Sequence, residues 1–219
     1  MMDLDFAAVL GLWPMLLKGL LLTVALSAVA LPLGLVAGIA AAWVRLHGHP
    51  ALRAVVAAYV ELFRNTPFII QLFFLFFGLP SLGVRLSPAL ASVIAMVLNL
   101  GAYAGEMVRA GVDATPRGQI EAAQSLALNR WQIFTRVVLP PALRRVWPAL
   151  VGQMILVMLG SAVCGQISTE EVSYAANLIS SRTFRSFESY IVVTLIYLGL
   201  AVLMRQLLNW IGPRLIFGR

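Results

Sequence analysis

Apolar residues fill this chain in runs too long for a soluble core, and the polar residues between them gather in a few short clusters. Runs at about 19–44, 54–79, 89–108, 146–166 and 190–211 match the ~20 residues that a helix needs to cross a hydrocarbon layer. A backbone that finds no water in lipid must bond to itself, so such runs form helices. The pattern predicts an all-α membrane protein with five transmembrane helices. Residues 1–18 form a leading external segment, acidic at Asp3 and Asp5 and without the basic start of a signal peptide. Ala28-Val29-Ala30 has the look of a cleavage site, but the apolar run continues through Ala42, so the first span is read as retained.

The longest polar, helix-capable stretch between spans is 117–140. Ile120, Ala123, Ala127, Trp131, Phe134 and Val138 recur in it at steps of three or four, which predicts one apolar helix face, with Gln119, Arg130, Gln132 and Arg136 facing elsewhere. Asn129 followed three residues later by Gln132 has the form of a capping box. The expected local structure is a short helix from Gln119 to Leu128, a turn, and a second helix beginning near Arg130. Pro140 and Pro141 are expected to interrupt helical bonding before the next span.

Polar groups within the spans need partners or a water-filled path. Glu61 and Arg64, at i and i+3, are expected to neutralise one another, and Thr66-Pro67 to break or bend their helix. Both a hinge beside a path and an ion pair that fixes packing fit those residues. Asn99, Tyr103 and Glu106 share a face of the third span, and Glu106 suits a gating or packing role. The fourth span carries Gln153, Ser161 and Cys164, with Gly152 and Gly160 expected to let helices approach closely. Residues 167–189 are largely polar, with Glu170, Glu171, Arg182, Arg185 and Glu188, and carry apolar residues such as Val172, Leu178 and Ile179. They are read as the largest external surface, suited to a docking partner or to a helix that closes a gate.

With 61% hydrophobic and 11% charged residues, the chain is not an ordinary soluble domain, and its net charge of +7 comes from cations scattered at the ends of apolar runs. That distribution fits positive-inside topology better than nucleic-acid binding, and places the amino terminus outside and the carboxyl terminus inside. The single Cys164 excludes an internal disulfide, and His47 and His49 make a poor metal site. There is no phosphate-binding loop, nucleophile elbow or catalytic carboxylate pair, so any chemical energy must come from another polypeptide.

Glu121-Ala122-Ala123 with Leu139-Pro140 behind it resembles the EAA loop of the permease subunits of ATP-binding-cassette importers. Gly101-Ala102-Tyr103-Ala104-Gly105-Glu106, Arg109-Ala110-Gly111 and Gly118-Gln119 are similar to the branch that takes up polar amino acids, of the histidine, glutamine and arginine permease kind. Glu61 to Pro67, Gln71 to Phe74, Ser181 to Arg185 and Phe187-Glu188 match the same branch. The likeness covers nearly the whole chain and implies a type I importer permease fold at the cell inner membrane, with 117–140 as a cytoplasmic coupling loop. It implies Gly118, Glu121, Ala122, Ala123, Ala127, Asn129, Leu139 and Pro140 as residues that couple to an ATPase. It further implies two ATPase partners that carry ATP and Mg, an identical or homologous permease, an extracytoplasmic amino-acid-binding protein, and no cofactor on this chain. Asn99, Tyr103, Gln153 and Ser161 are candidates for the substrate path, and Glu61, Arg64, Thr66, Pro67 and Glu106 for gate or packing roles. The chain departs from the family at Ala127, where glycine is usual because the turn is left-handed, so either Asn129 takes that conformation or the turn is tighter here; it departs again between Gly160 and Cys164, where relatives often carry a charged or Thr-Ser sequence. An ion-driven secondary transporter would be expected to show an inverted repeat and more spans, and a scaffold would not need polar groups inside its spans.

With Cys164 replaced by Ser, a cysteine at Ser173 is expected to react with an impermeant thiol reagent added outside intact cells, and one at Ser125 to stay protected. The reverse labelling would overturn the five-span topology.

Overall fold

The computed structural model describes residues 4–216, and its regular elements are all helices. They are α1 (Phe6–Leu10), α2 (Trp13–His47), α3 (Pro50–Arg64), α4 (Phe68–Phe73), α5 (Pro88–Asp113), α6 (Arg117–Ser125), α7 (Arg130–Gln132), α8 (Leu139–Gly160), α9 (Val172–Thr183) and α10 (Ser186–Ile211). Among the described residues, four helical runs are long and apolar enough to cross a membrane: Trp13–His47, Pro88–Asp113, Arg130–Ile167 and Ser186–Arg214. A fifth candidate is the broken pair Pro50–Arg64 and Phe68–Leu82.

The helices outrun the apolar stretches because capping and polar flanks extend a helix beyond its hydrophobic part. Helix α2 begins at Trp13, inside the segment expected to be a leader, and α5 continues to Asp113. The second run is interrupted as Thr66-Pro67 predicts: α3 ends at Arg64, Pro67 is extended (φ −63°, ψ 139°), and α4 starts at Phe68. The proline pair behaves otherwise. Ile133–Val138 is π-helical and runs straight into α8, so Pro140 and Pro141 lie in a continuous helical stretch. A wider turn just before a proline accommodates its missing N–H and its ring without ending the helix.

The chain divides into two compact units. One comprises 4–32, Thr66–Met96 and Leu156–Leu203; the other comprises Leu33–Asn65, Val97–Ile155 and 204–216.

In the first unit, Val9, Leu16, Val172, Ala175, Ala176, Ile179 and Val193 form one apolar cluster, and Leu72, Ala91, Ala95, Cys164 and Ile167 another. Glu171 is fully buried between them in sequence, at the start of α9. Its carboxylate accepts from the backbone N–H of Ser173 (2.8 Å) and Tyr174 (2.7 Å) and from the Tyr197 hydroxyl (2.5 Å). Burial pushes the carboxyl above the ordinary carboxylate range, against these three bonds, which favour the anion. Gly19 lies so close that a Cβ there would stand 2.9 Å from the Glu171 carbonyl oxygen, and Thr23 Oγ1 accepts from Val172 N–H (3.3 Å). The polar stretch 167–189 therefore folds into a helix docked on α2 through Val172 and Ile179, and only part of it is surface.

In the second unit, α2 and α5 meet along glycines. A Cβ at Gly38 would stand 2.6 Å from the Ala104 Cβ, one at Gly34 2.8 Å from the Leu100 Cβ, and one at Gly105 3.2 Å from the Ala41 Cβ. These are two small-xxx-small stripes, Gly34/Gly38 and Gly101/Gly105, laid against each other. Gly152, expected to serve such an approach, has nothing within 4 Å, and Gly160 meets only Phe68 at 4.0 Å. A glycine in an apolar run marks contact only where the facing helix offers small residues too.

Gly38→Leu is expected to lower the melting temperature and yield of the purified protein, since forced overpacking costs about 1–3 kcal/mol. Gly199→Ala, at a position open to its surroundings, is expected to leave both unchanged. A thermal melt of the two variants checks the contrast.

Candidate functional site

The loop between α5 and α8 is built on its own small core. Ala123, Ile133 and Val138 are buried together, with Val112, Ile120, Leu128 and Val137 packed around them. Helix α6 runs Arg117–Ser125, a little earlier than its periodicity predicted, and stops where Leu126 leaves helical geometry. The capping box is present as read from the sequence: Asn129 Oδ1 accepts from Gln132 N–H and Gln132 Oε1 accepts from Asn129 N–H, each at 2.9 Å.

Between the two helices Ala127 takes the left-handed conformation itself (φ 55°), and Asn129 is extended (φ −75°, ψ 165°). The turn is therefore the one glycine would make, at a cost to alanine of about 1–2 kcal/mol. This reversal also breaks the single apolar stripe that the spacing suggested. Ala123, Phe134 and Val138 are buried, whereas Ala127 is exposed and Trp131 is 56% exposed, because they follow a turn rather than one helix.

Two contacts fix this loop to the rest of its unit. The Trp43 ring, near the end of α2, meets Trp131 edge-on at 5.0 Å and Phe134 at 4.8 Å, and stacks on His47 at 4.1 Å. At the stem of the loop, a Cβ on Gly111 would stand 3.0 Å from the Ala142 carbonyl oxygen, and Arg145 Nη1 donates to the Gly111 carbonyl oxygen at 3.2 Å. The outward side of the loop carries Gly118, Glu121 and Ala122, all exposed, and Leu126, which is 76% exposed. The Glu121 carboxylate bonds to nothing among the described residues. Its backbone oxygen accepts from Ser125 Oγ (3.0 Å). Exposed leucine beside an unpaired carboxylate on a self-supporting scaffold is a surface suited to a protein partner. Leu139 and Pro140 are half-buried at the base of α8.

The other candidate residues separate. Asn99, Tyr103 and Gln153 lie in the second unit, and Ser161 lies in the first. Asn99 is buried, and the Tyr103 hydroxyl donates to the Arg64 carbonyl oxygen (3.3 Å). Gln153 is half-buried and makes no hydrogen bond among the described residues. Ser161 Oγ is fully buried, and the group nearest to bonding it is the Tyr197 hydroxyl. Glu61 and Arg64 do not pair as expected: Glu61 Oε2 accepts from Asn65 Nδ2 (3.0 Å), and the Arg64 guanidinium lies 5.8 Å from the centre of the Tyr103 ring. Both lie on the last turn of α3, but each side chain takes another partner there, Asn65 for Glu61 and the Tyr103 ring for Arg64. Thr66 Oγ1 accepts from Gln71 Nε2 (3.0 Å) just before α4.

Glu106 is the centre of an ion-pair network that the sequence reading left unassembled. It pairs with Arg45 of α2 and Arg109 of its own helix, and Arg109 also pairs with Asp113 (2.7 Å). The i, i+3 and i+4 spacing of Glu106, Arg109 and Asp113 was a usable signal for part of this network, but Arg45 reaches it through tertiary packing alone. His49, expected at the surface, is exposed, and its Nδ1 accepts from Ala51 N–H (3.4 Å) at the start of α3. Among the described residues no cluster could hold a metal ion.

A profile described as the binding-protein-dependent transport system inner membrane component matches residues 30–217. The arginine transport system permease protein ArtQ of Bacillus subtilis (strain 168) is 32% identical over 93% of this chain and 93% of its own length. A Rickettsia bellii (strain RML369-C) protein named for glutamine transport as the permease GlnP is 32% identical over 92% of this chain and 93% of its own. The solved structure titled as an amino acid ABC transporter with histidines superposes with a TM-score of 0.86 at 31% identity, covering 98% of this chain and all of that one. An inward-facing MetNI methionine ABC transporter gives a TM-score of 0.67 at 25% identity, over 92% of this chain and 94% of that one.

Ala127→Gly is expected to raise the melting temperature, by relief of about 1 kcal/mol of backbone strain. Asn129→Ala is expected to lower it through loss of a cap worth ~1 kcal/mol. Differential scanning of the purified protein distinguishes the two, and a fall with Ala127→Gly would contradict the left-handed turn.

Proposed function

The chain belongs to the family of inner membrane components of binding-protein-dependent transport systems, and from that premise we propose that it is the permease subunit of an ATP-driven importer of a polar amino acid. The observation that carries this reading is the loop around α6: exposed at Glu121, Ala122 and Leu126, supported by its own core, and clamped to α2 by Trp43. Two ATPase subunits lie on the cytoplasmic side, each gripping the loop of one permease and bringing its ATP and Mg, and this chain performs no chemistry itself. A second permease, identical or homologous, completes the pathway, and a binding protein delivers substrate to the opposite side of the membrane. The amino terminus is outside and the carboxyl terminus inside, in keeping with the arginines that flank the loop.

Closure of the ATPase pair on ATP draws the two coupling loops together, and the spans attached to them change the side to which the path opens. Transport then requires that substrate bind the two states unequally. A polar amino acid needs hydrogen-bonding partners where water is excluded, and each unsatisfied polar group there costs several kcal/mol, on the order of a lost hydrogen bond or more. Half-buried Gln153, with free amide donors and acceptor, buried Asn99 and Tyr103, all of the second unit, serve that need. The names of the relatives, glutamine and arginine permeases among them, support the substrate class.

One experiment tests both parts. In reconstituted vesicles with its ATPase and binding protein, Glu121→Lys is expected to lower uptake and substrate-stimulated hydrolysis together, about tenfold for ~1.4 kcal/mol of lost docking. Gln153→Ala is expected to change uptake or selectivity while basal hydrolysis and assembly persist. Unchanged uptake and hydrolysis with Glu121→Lys would defeat the docking role, and unchanged uptake and selectivity with Gln153→Ala the proposed path.

A further inference from the structure

A pocket of about 370 Å³ opens where α2 ends and α3 begins, against α5, lined by Arg45, Leu46, Arg53, Ala54, Ala57 and Arg109. Its charge does not cancel. Arg45 and Arg109 pair with Glu106, and Arg109 also with Asp113, so two carboxylates face three guanidinium groups. Arg53 is exposed, and its guanidinium bonds to no other described residue. Arg45 uses one of its five N–H donors on Glu106, and the rest stay available. The pocket therefore keeps a fixed positive charge, preorganised at two of its three corners by the Glu106 network. The first turn of the fifteen-residue α3, with Pro50 at its start and Arg53 within it, adds the partial positive charge of a helix amino terminus.

Such a lining rejects cations and suits an anion with several acceptor oxygens, of which a phosphate is the best match to arginine. Its place in the chain restricts the source of that phosphate. Arg45 follows directly on the apolar part of α2, Arg109 lies in the last turns of α5 and Arg53 in the first turn of α3, where spanning helices reach the headgroup layer, and basic pockets between helix ends are a known form of lipid headgroup site. Arg53 is flanked on the same helix by Leu52, 49% exposed, and Val55, 65% exposed. A soluble anion has no use for that apolar flank, whereas a phospholipid places its chains there when its headgroup enters the pocket.

We propose that the pocket of Arg45, Arg53 and Arg109 binds the phosphodiester headgroup of an anionic phospholipid. Arg53 is the free cation that completes the site, while Glu106 holds the other two in position.

The purified permease complex in neutral detergent, titrated with phosphatidylglycerol in mixed micelles, tests this by native mass spectrometry of retained lipid. Wild type is expected to retain phosphatidylglycerol in preference to phosphatidylcholine. Arg53→Gln is expected to weaken that retention about fivefold, with Arg53→Lys intermediate, in line with the contribution of one cation near an anionic surface. Arg53 is exposed, so neither change endangers folding. Arg144→Gln, which removes an exposed cation outside the pocket, is expected to have no effect. An equal loss with Arg144→Gln, full displacement of the lipid by inorganic phosphate at millimolar concentration, or no preference for the anionic lipid because a second permease covers the face, would each overturn the proposal.

Discussion

The close approach of α2 and α5 is the constraint from which the rest of the second unit follows. Gly34 and Gly38 on one helix, and Gly101 and Gly105 on the other, remove the side chains that would hold the backbones apart. In lipid there is no hydrophobic gain from bringing two apolar helices together, so close van der Waals packing must supply the attraction. The same stripe, continued one and two turns along α2, brings Arg45 to Glu106 and aims Trp43 at Trp131 and Phe134. An ion-pair network and an aromatic clamp are thus held by four residues without side chains. A larger residue at any of them would strain the packing and would also pull the charged and aromatic contacts out of reach.

Buried polarity in the first unit is handled by capping. Glu171 sits where a fully buried carboxylate would ordinarily be expensive, yet it closes the first turn of α9 and takes a tyrosine hydroxyl as well. Gly19 and Thr23 of α2 press on the same turn. The start of α9 is therefore held from α10 through the Tyr197 hydroxyl and from α2 through Gly19 and Thr23.

Local features of the coupling loop were legible in the sequence because their causes are local. Asn129 and Gln132 bond within three residues of each other, and Thr66-Pro67 breaks a helix by its own covalent geometry. The left-handed residue could be narrowed to the turn but not assigned, since asparagine tolerates that conformation better than alanine does, and only the completed capping box shows that Asn129 is committed elsewhere. Pro140 and Pro141 misled because the rule for proline assumes an α-helical ladder, while the chain widens into a π-helical stretch first. Trp43 and Arg45 carried no signal at all. Their partners are distant in sequence, and a tryptophan or an arginine at the end of an apolar run has the same appearance whether it faces headgroups or another helix.

The small core of Ala123, Ile133 and Val138 has a mechanical meaning. A loop that kept its shape only when gripped would spend part of any grip on ordering itself, and would yield when pulled. This one is folded beforehand, with its hydrogen-bonded cap and its aromatic rivet to α2, so under the docking proposed at Glu121 a displacement there would pass into α8 and α2 instead of being absorbed in the turn. The stiffness of such a handle would rest on a core of three side chains.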